Sequence, residues 1–492
     1  MAYLKEIEQE EFSVAIPADL NETLARHLIR DDRQEDVAFA LYKPSAGSTR
    51  FTSLIHQVLL PLEGERQVHG NVTINPAFFR RACKEASMQG SGLVLLHSHP
   101  SCGWQAMSDD DVTTEMSYSS SSLTVTELPL VGLTLGNDGT WSARIWEYNR
   151  ETYKPKFAST VRVVGKRLEV SYYDDIRLRP NFRPAFKRTL TVWGEQNHAH
   201  LARLRVGVVG VGSVGSLVVD ALARMGVERI TMLDFDEIRE HNLDRLTGAS
   251  FADLGKLKVD VAAERVRVIA TGEVKEVNPV PFGVTERQGY ARALDCDIIF
   301  SCVDRPWPRY VLNNLAYGHL IPVVDGGIGV RFKKESTIFE GADWQLQSVG
   351  PQRPCLHCLK AYDAADVQLE RDGMLDDPSY ISGLPENHRF KRNENIFPFS
   401  MNLASLEIMQ FIAQVTGIGG TDYFGTQRFS YTHGFIRKDE AASCEPGCYF
   451  QSGIALGDTQ FGPPHGRDHS AEAARLRQRE GIPEWSEENA TT

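Results

Sequence analysis

Three stretches of the chain show hydrophobic patterns that predict strands. Residues 93–96 form an apolar run between Gly92 and His97, which predicts a buried strand in which residues two apart face the same side. Residues 205–209 form a second run that enters a glycine-rich turn, followed by an apolar helix near 218–225 and another strand near 229–233. Residues 132–148 alternate around an Asn-Asp-Gly turn and predict two antiparallel strands. These patterns predict an α/β protein.

Polar residues with metal-binding chemistry follow the first strand. His97 and His99 would face one spot, and a helix beginning at Ser108 would bring its first-turn carboxylate, Asp111, back towards them. Two imidazoles and one carboxylate leave one tetrahedral position for water, as in catalytic zinc sites. The alternative is a plain helix cap formed by Ser108 and Asp111, beside two histidines that bind no metal.

The complete spacing, His-x-His-Pro, seven residues and then Ser-x-x-Asp, resembles the JAMM (JAB/MPN) metalloprotease family. The resemblance implies a mixed α/β domain that cleaves peptide or isopeptide bonds after the C-terminal glycine of ubiquitin-like proteins. It also implies that His97, His99 and Asp111 hold zinc and that Ser108 hydrogen-bonds the developing oxyanion.

The same resemblance requires a glutamate as general base on an early strand. Glu35 fits best, because it stands at the head of the apolar sequence Asp-Val-Ala-Phe-Ala-Leu-Tyr. Asp36, Glu63 and Glu65 are nearby rivals. A solvated carboxylate at the start of a strand is the other interpretation of Glu35.

The glycine-rich turn predicts a nucleotide site. Gly210 permits the tight bend, Gly212 lets a phosphate approach the backbone, and Gly215 lets the helix pack closely on the strand. Asp234 ends the next strand, where a carboxylate can accept hydrogen bonds from ribose hydroxyls. A dehydrogenase is the first alternative, but hydride transfer does not need the basic residues that follow Asp234.

Several ordered motifs from Arg183 to Phe450 resemble the ThiF/MoeB superfamily of adenylating enzymes. They are Asp-Phe-Asp-Glu-Ile-Arg-Glu-His-Asn-Leu-Asp-Arg-Leu from residue 234, Asp-Leu-Gly-Lys-Leu-Lys from residue 253, and Phe-Ser-Cys-Val-Asp-Arg from residue 300. The family joins the C-terminal carboxylate of a ubiquitin-like protein to AMP, so the resemblance implies a doubly wound Rossmann-like domain that uses ATP and Mg²⁺.

The resemblance also assigns roles to the matched residues. Asp234 would hold the ribose, Asn242 and Arg245 the phosphates, Lys258 the transferring phosphate and leaving pyrophosphate, and Asp304 the magnesium ion, because cations must offset the charge at the reacting phosphorus. Ser213 belongs to the predicted nucleotide-binding turn, between Gly212 and Gly215. Taken singly, each charged residue could equally be a surface salt bridge or a cap.

Arg188 lies in a segment, Phe186 to Gln196, that partly resembles the arginine-containing lead-in of the same family. There the arginine reaches into the ATP site of the partner subunit. The resemblance therefore implies a homodimer, although the family's Arg-Gln pair is Arg-Thr in this chain.

Four of the eight cysteines are spaced as pairs. Cys355 and Cys358 form Cys-x-x-Cys, and Cys444 and Cys448 form Cys-x-x-x-Cys, so together they could close a structural zinc site. Unrelated free or buried thiols are the alternative. The loop from Leu359 to Asn402, which carries the catalytic cysteine in many activating enzymes, contains no cysteine here. We therefore expect the acyl group to pass to an external nucleophile, such as a conjugating enzyme or a sulfur donor.

Composition limits the remaining possibilities. A chain of 492 residues with 42% hydrophobic content predicts two or three domains, and we expect a metalloprotease domain at 1–160, a linker at 161–184, an adenylating domain at 185–450 and a tail at 451–492. The net charge of −12 argues against general nucleic-acid binding. The absence of a long apolar run and of a signal-like N-terminus predicts a cytoplasmic protein without a membrane span.

The sequence thus predicts a bifunctional enzyme of a bacterial-type ubiquitin-like pathway. Its first domain would trim or release the modifier, and its second would activate the modifier's carboxylate with ATP. One alternative is the activation and processing of a sulfur-carrier protein in cofactor biosynthesis. Another is a modifier-binding scaffold with an inactive protease half.

Overall fold

Two large β-sheets organise the protein. The computed structural model describes residues 9–69, 71–333, 338–384, 395–440 and 442–480. Within these ranges the protein contains one nine-stranded sheet, one eight-stranded sheet and a separate two-stranded hairpin, together with the helices that pack around them. No helix in the described ranges is both long and apolar enough to span a bilayer.

The first sheet contains parallel and antiparallel pairs in the order β11-β10-β1-β3-β2-β6-β7-β8-β9. The elements of this part are β1 (Glu11–Pro17), α1 (Ala18–Leu28), β2 (Val37–Ala46), β3 (Arg50–Leu59), β4 (Arg66–His69), β5 (Asn71–Ile74), α2 (Pro76–Met88), β6 (Gly92–His99), α3 (Asp109–Thr126), β7 (Val131–Gly136), β8 (Trp141–Tyr148), β9 (Tyr153–Phe157), β10 (Thr160–Val164) and β11 (Leu168–Tyr172).

The apolar run before the two histidines forms β6, a central strand buried on both faces. Val94 and Leu96 join the core on the side of α1, whereas Leu93 and Leu95 join the core on the side of α2. Both faces are covered, which explains why this strand is continuously hydrophobic rather than alternating. The turn predicted at 137–139 joins β7 to the antiparallel β8.

The second sheet has a parallel part in the order β14-β13-β12-β15-β16, extended by the antiparallel strands β17, β18 and β19. Its elements are α4 (Lys187–Trp193), α5 (Glu195–Arg203), β12 (Arg205–Val209), α6 (Ser213–Met225), β13 (Arg229–Leu233), α7 (Lys258–Ile269), β14 (Glu276–Val280), α8 (Arg287–Ala293), β15 (Ile298–Ser301), α9 (Pro306–Gly318), β16 (Val323–Phe332), β17 (Phe339–Val349), α10 (Ala364–Arg371), α11 (Pro378–Gly383), α12 (Phe397–Thr416), β18 (Thr426–Ser430), β19 (Phe435–Asp439), α13 (Tyr449–Ser452), α14 (Gly457–Gln460) and α15 (His469–Glu480).

Helices cover both faces of the parallel part. Residues of α6, α7 and α12 pack with β12 in one core, and residues of α8 and α9 pack with β15 and β16 in another. The α/β class and the Rossmann-like arrangement predicted for this half are thereby confirmed. Parallel strands place their carboxyl ends at one edge of the sheet, where ligands of doubly wound folds bind.

Two segments outside the predicted domains contain regular structure. The segment 161–184, predicted as a linker, contains most of β10 and all of β11; β10 pairs with β1, and β11 pairs with β10 and extends the first sheet to Tyr172. The segment 451–480, predicted as a tail, forms short helices, and α14 contacts β2 of the first sheet through a hydrogen bond from the Ala46 amide to Asp458. These segments contact residues that are distant in the sequence, and such contacts cannot be predicted from local sequence patterns.

Buried charges join the two sheets. Arg50 on β3 is fully buried and pairs with Asp297 at the start of β15, while Arg162 on β10 lies 3.6 Å from the same carboxylate. The Asp297 carboxylate also accepts a hydrogen bond from the Arg205 amide. Removing one partner of a buried ion pair is strongly destabilising, so this contact holds the two sheets together.

Glu11 at the start of β1 belongs to the same interface. Burial alone would raise the pKa of its carboxyl, but ion pairs with Arg177 and Arg205 lower that pKa to about 2. The ionised form of Glu11 therefore stabilises the contact between the two sheets at neutral pH.

Candidate functional site

The first candidate site lies where β6 ends. The Nε2 atoms of His97 and His99 are 3.1 Å apart. Asp111 in the first turn of α3 places its Oδ1 3.2 Å from His97 Nε2 and its Oδ2 3.4 Å from His99 Nε2. Three ligands of one tetrahedral zinc ion, each about 2.05 Å from it, would be separated by about 3.3 Å. The structure thus brings together all three predicted ligands at a spacing that fits zinc.

Electrostatics at this cluster favour an ionised aspartate. Burial would raise the pKa of Asp111, but its hydrogen bonds with His97 and His99 hold that pKa well below its usual value. The hydrogen bond to Asp111 in turn raises the pKa of His99.

Glu35 lies beside the same cluster, with its Oε1 4.0 Å from His99 Nε2. The sheet explains this position, because Val37 on β2 pairs with His97 in antiparallel register, so the residue two before Val37 faces the residue two after His97. Neighbouring Asp36 is buried and anchors this point of the chain through Arg30 and Arg66.

The predicted rivals of Glu35 are engaged elsewhere. The carboxylate of Asp36 is occupied by the arginines just described, and that of Glu65 pairs with Arg81. Glu63 is exposed in the turn before β4. Glu35 is the only one of the four for which the described residues include a contact with the histidines.

Ser108 caps α3 in a reciprocal arrangement with Asp111. Its Oγ accepts a hydrogen bond from the Asp111 amide, and its own amide donates to Asp111 Oδ2. The capping box considered as an alternative to a metal site is therefore present together with the cluster, and the cap is what directs Asp111 towards the histidines. The side chain of Ser108 remains exposed, so its hydroxyl proton is available to a ligand.

A buried polar chain behind the histidines was not anticipated from the sequence. Thr134 on β7 pairs in register with His97, and its Oγ1 lies 3.4 Å from His97 Nε2. Arg144 donates to Thr134 and pairs with the buried Glu115, which also accepts from the Trp146 indole. A signal was available in Arg144, a charged residue between the apolar Ala143 and Ile145 in the buried part of β8.

The glycine-rich turn of the second sheet leads from β12 into α6. Gly210 has a φ of +85°, and a Cβ there would lie 2.6 Å from the carbonyl oxygen of Cys302. A Cβ at Gly215 would lie 1.9 Å from the carbonyl oxygen of Gly210, whereas a Cβ at Gly212 would meet no atom within 4 Å. The first and third glycines are thus required by the protein itself, and the second borders open space at the start of α6, next to Ser213.

Carboxylates surround the predicted phosphate-binding lysine. The ammonium of Lys258 lies 2.7 Å from Asp236 Oδ2, and interactions with Asp234, Asp236 and Asp304 raise its pKa against the effect of burial. Burial raises the pKa of Asp234, whose Oδ2 accepts from the Val211 amide in the glycine-rich turn. The structure therefore places Asp234, Lys258 and Asp304 together at the carboxyl ends of β13 and β15.

Asp236 is an unpredicted member of this group. The spacing Asp-Phe-Asp could have indicated it, because residues two apart in an extended segment face the same side.

Asn242 and Arg245 occupy the segment that follows. Asn242 Oδ1 accepts from the Arg239 amide, and Arg245 donates to the His241 carbonyl and to Asp244. The amide of Thr247 donates to Ser216 on α6, so this segment lies against the helix that the glycine-rich turn begins. The two side chains are engaged within their own segment.

Arg188 is exposed on α4, as a residue that acts outside its own subunit would have to be.

The four paired cysteines converge. Their Sγ atoms all lie within 4.8 Å of one another, and the Cys355 and Cys448 Sγ atoms are 3.7 Å apart. Thiolates on one tetrahedral zinc ion, about 2.3 Å from it, would be about 3.8 Å apart. A hydrogen bond from Cys355 lowers the pKa of the Cys444 thiol, whereas the same hydrogen bond raises the pKa of Cys355 and burial raises that of Cys358. Cys444 is thus the thiol that most readily forms the thiolate that zinc needs.

The cysteine-free loop from Leu359 to Asn402, hereafter the crossing loop, contains α10 and α11, and its residues 385–394 lie outside the described residues. Asp376 in this loop holds Arg305, the residue after Asp304. Cys302 lies beside the buried Glu407, and burial raises the pKa of its thiol, so Cys302 is poorly suited to act as a nucleophilic thiolate.

Comparison with known proteins gives the relationships of the second half. The model of the ThiF family matches residues 186–432. Over 223 residues the chain is 29% identical to tRNA threonylcarbamoyladenosine dehydratase 2 of Saccharomyces cerevisiae, covering 44% of this chain and 47% of that protein. It is 30% identical to molybdopterin-synthase adenylyltransferase of Escherichia coli over 155 residues, which cover 32% and 58% of the two chains. It is also 30% identical to the SAMP-activating enzyme E1 of Haloferax volcanii over 166 residues, covering 34% and 57%. The chain spans about half the length of these relatives.

Proposed function

The chain belongs to the ThiF family over residues 186–432, and on that basis we propose that its second sheet carries an adenylating site. Its substrate would be the C-terminal carboxylate of a ubiquitin-like or sulfur-carrier protein. The observation that carries the proposal is the position of Lys258, whose ammonium lies among three carboxylates beside the glycine-rich turn. A buried cation next to backbone amides and an open glycine suits a nucleotide phosphate.

The reaction joins the modifier's carboxylate oxygen to the α-phosphorus of ATP and breaks the bond to pyrophosphate, which leaves with the bonding electrons. Asp234 would hold the ribose, and the amides of the glycine-rich turn would face the phosphates. Lys258 would exchange Asp236 for the α-phosphate and offset the charge that develops there. A magnesium ion, held by the exposed Asp304, would supply further positive charge when bound.

Pyrophosphate exchange tests this site. The full chain is incubated with ATP, Mg²⁺, labelled pyrophosphate and each of a panel of ubiquitin-like proteins that end in glycine. We expect exchange with at least one member and its loss in Asp304→Asn, while Asp372→Asn, an exposed carboxylate at the end of α10, retains it. Exchange that survives in Asp304→Asn would remove Asp304 from the site, and no exchange with any modifier would refute adenylation.

We further propose that the first sheet carries a zinc-dependent hydrolase for the bond after the modifier's terminal glycine. Support comes from the ligand spacing of His97, His99 and Asp111 and from Glu35 within 4.0 Å of that cluster. A zinc ion in this cluster would supply a Lewis acid and lower the pKa of a bound water. Glu35 would take a proton from the attacking water and pass it to the leaving amine, while the Ser108 hydroxyl would donate to the developing oxyanion.

A substrate with a short extension after the modifier's glycine tests the hydrolase. We expect release of the extension to disappear in Glu35→Gln and to persist in Glu63→Gln, the exposed rival carboxylate in the turn three residues before Arg66, where β4 begins. Metal content distinguishes a general base from a zinc ligand, because Glu35→Gln should keep its zinc while losing turnover. Cleavage by Glu35→Gln at the wild-type rate would favour the alternative of a different base, and no cleavage by the wild type would favour the scaffold.

Two further features complete the proposal. Cys355, Cys358, Cys444 and Cys448 would hold a structural zinc ion that joins the start of the crossing loop to the segment before α13. Arg188 would reach the nucleotide site of a partner subunit in a homodimer. Because the crossing loop has no cysteine, the adenylated carboxylate would pass to a conjugating enzyme or to a sulfur donor, and the identity of that acceptor separates the ubiquitin-like pathway from sulfur-carrier activation.

A further inference from the structure

The order of the second sheet indicates where the base of a nucleotide would lie. Phosphates at the turn after β12 and a ribose at Asp234, which follows β13, define a direction across the strand ends. The next strand in that direction is β14, so the base would lie near the residues that follow it, 281–286. This inference rests on the proposed use of ATP.

The C-terminal helix α15 contacts this region directly. The guanidinium of Arg475 pairs with Glu286, lies 5.1 Å from the centre of the Phe282 ring, and approaches the Pro281 carbonyl at 3.5 Å. The Gln478 amide lies 3.4 Å from the carbonyl oxygen of Phe235, the residue after Asp234. The helix therefore borders both the region expected for the base and the segment that holds the ribose carboxylate.

The start of α15 is anchored on the opposite side of the strand ends. Ser470 donates to Asp376 Oδ1 at 2.6 Å, and Asp376 also holds Arg305 at 2.8 Å, directly after Asp304. Asp468, before the helix, bonds to Thr285. Residues 468–478 thus extend from the neighbourhood of the magnesium-binding candidate to the far side of the ribose carboxylate.

One face of α15 packs against the rest of the protein. Ala471 and Ala474 are buried, so the helix presents one small apolar face to the protein while its remaining side is charged. Arg475 is the one arginine of this helix whose guanidinium has described contacts with the loop after β14.

We propose that α15 forms the wall of the nucleotide pocket at its base end and that Arg475 is the positioning residue that holds this wall against the loop 281–286. The base of ATP then lies against the edge at which the loop and the helix meet, whereas the triphosphate is bound by the turn and by Lys258. Affinity for the base and affinity for the phosphates therefore depend on different parts of the chain.

Calorimetric titration of the full chain with ATP and, separately, with inorganic tripolyphosphate tests the proposal. We expect Arg475→Ala to weaken ATP binding by about tenfold and to leave tripolyphosphate binding unchanged. Arg475→Lys should restore part of the ATP affinity, since it keeps the charge opposite Glu286. Arg479→Ala, an exposed residue of the same helix, should bind both ligands as the wild type does.

The outcomes separate this inference from the function on which it rests. A wild-type protein that does not bind ATP would refute both. ATP binding that is unchanged in Arg475→Ala, or ATP and tripolyphosphate binding that weaken equally, would refute the role of α15 alone. Amide hydrogen exchange of the wild type gives an independent check, because ATP should slow exchange in residues 469–478 and tripolyphosphate should not; equal exchange with and without ATP would also overturn the proposal.

Discussion

In the glycine-rich turn after β12, we expect alanine to have two different effects: loss of folding stability at Gly215 and loss of nucleotide binding at Gly212. A Cβ at Gly215 would lie 1.9 Å from the Gly210 carbonyl oxygen, so the backbone must move, and we expect Gly215→Ala to lose several kcal/mol of stability or not to fold, since overpacking alone costs about 1–3 kcal/mol. A Cβ at Gly212 would meet no protein atom within 4 Å. Because the φ of Gly212, −81°, is one that alanine adopts, we expect Gly212→Ala to fold nearly as stably as the wild type.

The prediction for Gly212 concerns the binding of the nucleotide phosphates. A methyl group in this open space would occupy the position from which a phosphate approaches the amides of the turn. At an ATP concentration of about one hundred times Kd, binding should stabilise the wild type by about 2.7 kcal/mol, and we expect Gly212→Ala to lose most of that gain. Gly383→Ala provides the control, because its Cβ also meets nothing within 4 Å but lies at the end of α11.

Thermal unfolding with and without MgATP measures this difference. The expected result is a Gly212→Ala protein that unfolds close to the wild-type temperature without ATP and shows little shift with it, whereas Gly383→Ala shifts fully. A Gly212→Ala protein with the full ATP-induced shift would refute the placement of phosphate at this turn.

Three other predictions follow from the same structure. Inactive Arg188→Ala and Asp304→Asn variants, when mixed and allowed to exchange subunits, should regain about a quarter of the wild-type pyrophosphate exchange, because half of the dimers would contain one intact site; no recovery would contradict a role in the partner subunit. Glu11→Gln should lower the free energy of unfolding at pH 7 by up to about 3 kcal/mol. This deficit should vanish as the pH falls from 4.5 to 2, because a carboxylate whose pKa is lowered by folding stabilises the protein above its unfolded pKa and loses that effect when it is protonated. Denaturant titrations across this pH range measure the difference. Metal analysis should find two zinc ions per chain in the wild type and one in Cys355→Ser, and two in that variant would exclude the thiolate site.

Local sequence patterns were sufficient to predict the strands and turns that lead into the two candidate sites. The apolar run of β6 and the glycine-rich turn after β12 are each contained within a few residues, so periodicity and glycine spacing predict them directly. The convergence of the cysteine pairs also follows from the spacing within each pair, because two such pairs, even when far apart in sequence, commonly share one ion.

The remaining features depend on long-range pairing. Glu35 is distinguished from its neighbours by the register between Val37 and His97, which no local pattern specifies. Strands β10 and β11 return to the first sheet across a segment that composition alone had suggested to be a linker. The position of α15 depends on one ion pair with Glu286 and two buried alanines, and such contacts are set by the folded surface.

The most direct test of the two proposed activities is the intact mass of one substrate over time. A ubiquitin-like modifier from the exchange panel, extended by a short peptide after its terminal glycine, is incubated with the protein, Zn²⁺ and MgATP. We expect loss of the extension followed by addition of AMP, and we expect a His97→Ala/His99→Ala protein to add AMP only to modifier that has already been trimmed. An extension that stays on in the presence of the wild type would contradict the proposed hydrolase, and a trimmed modifier that never gains AMP would contradict the proposed adenylation.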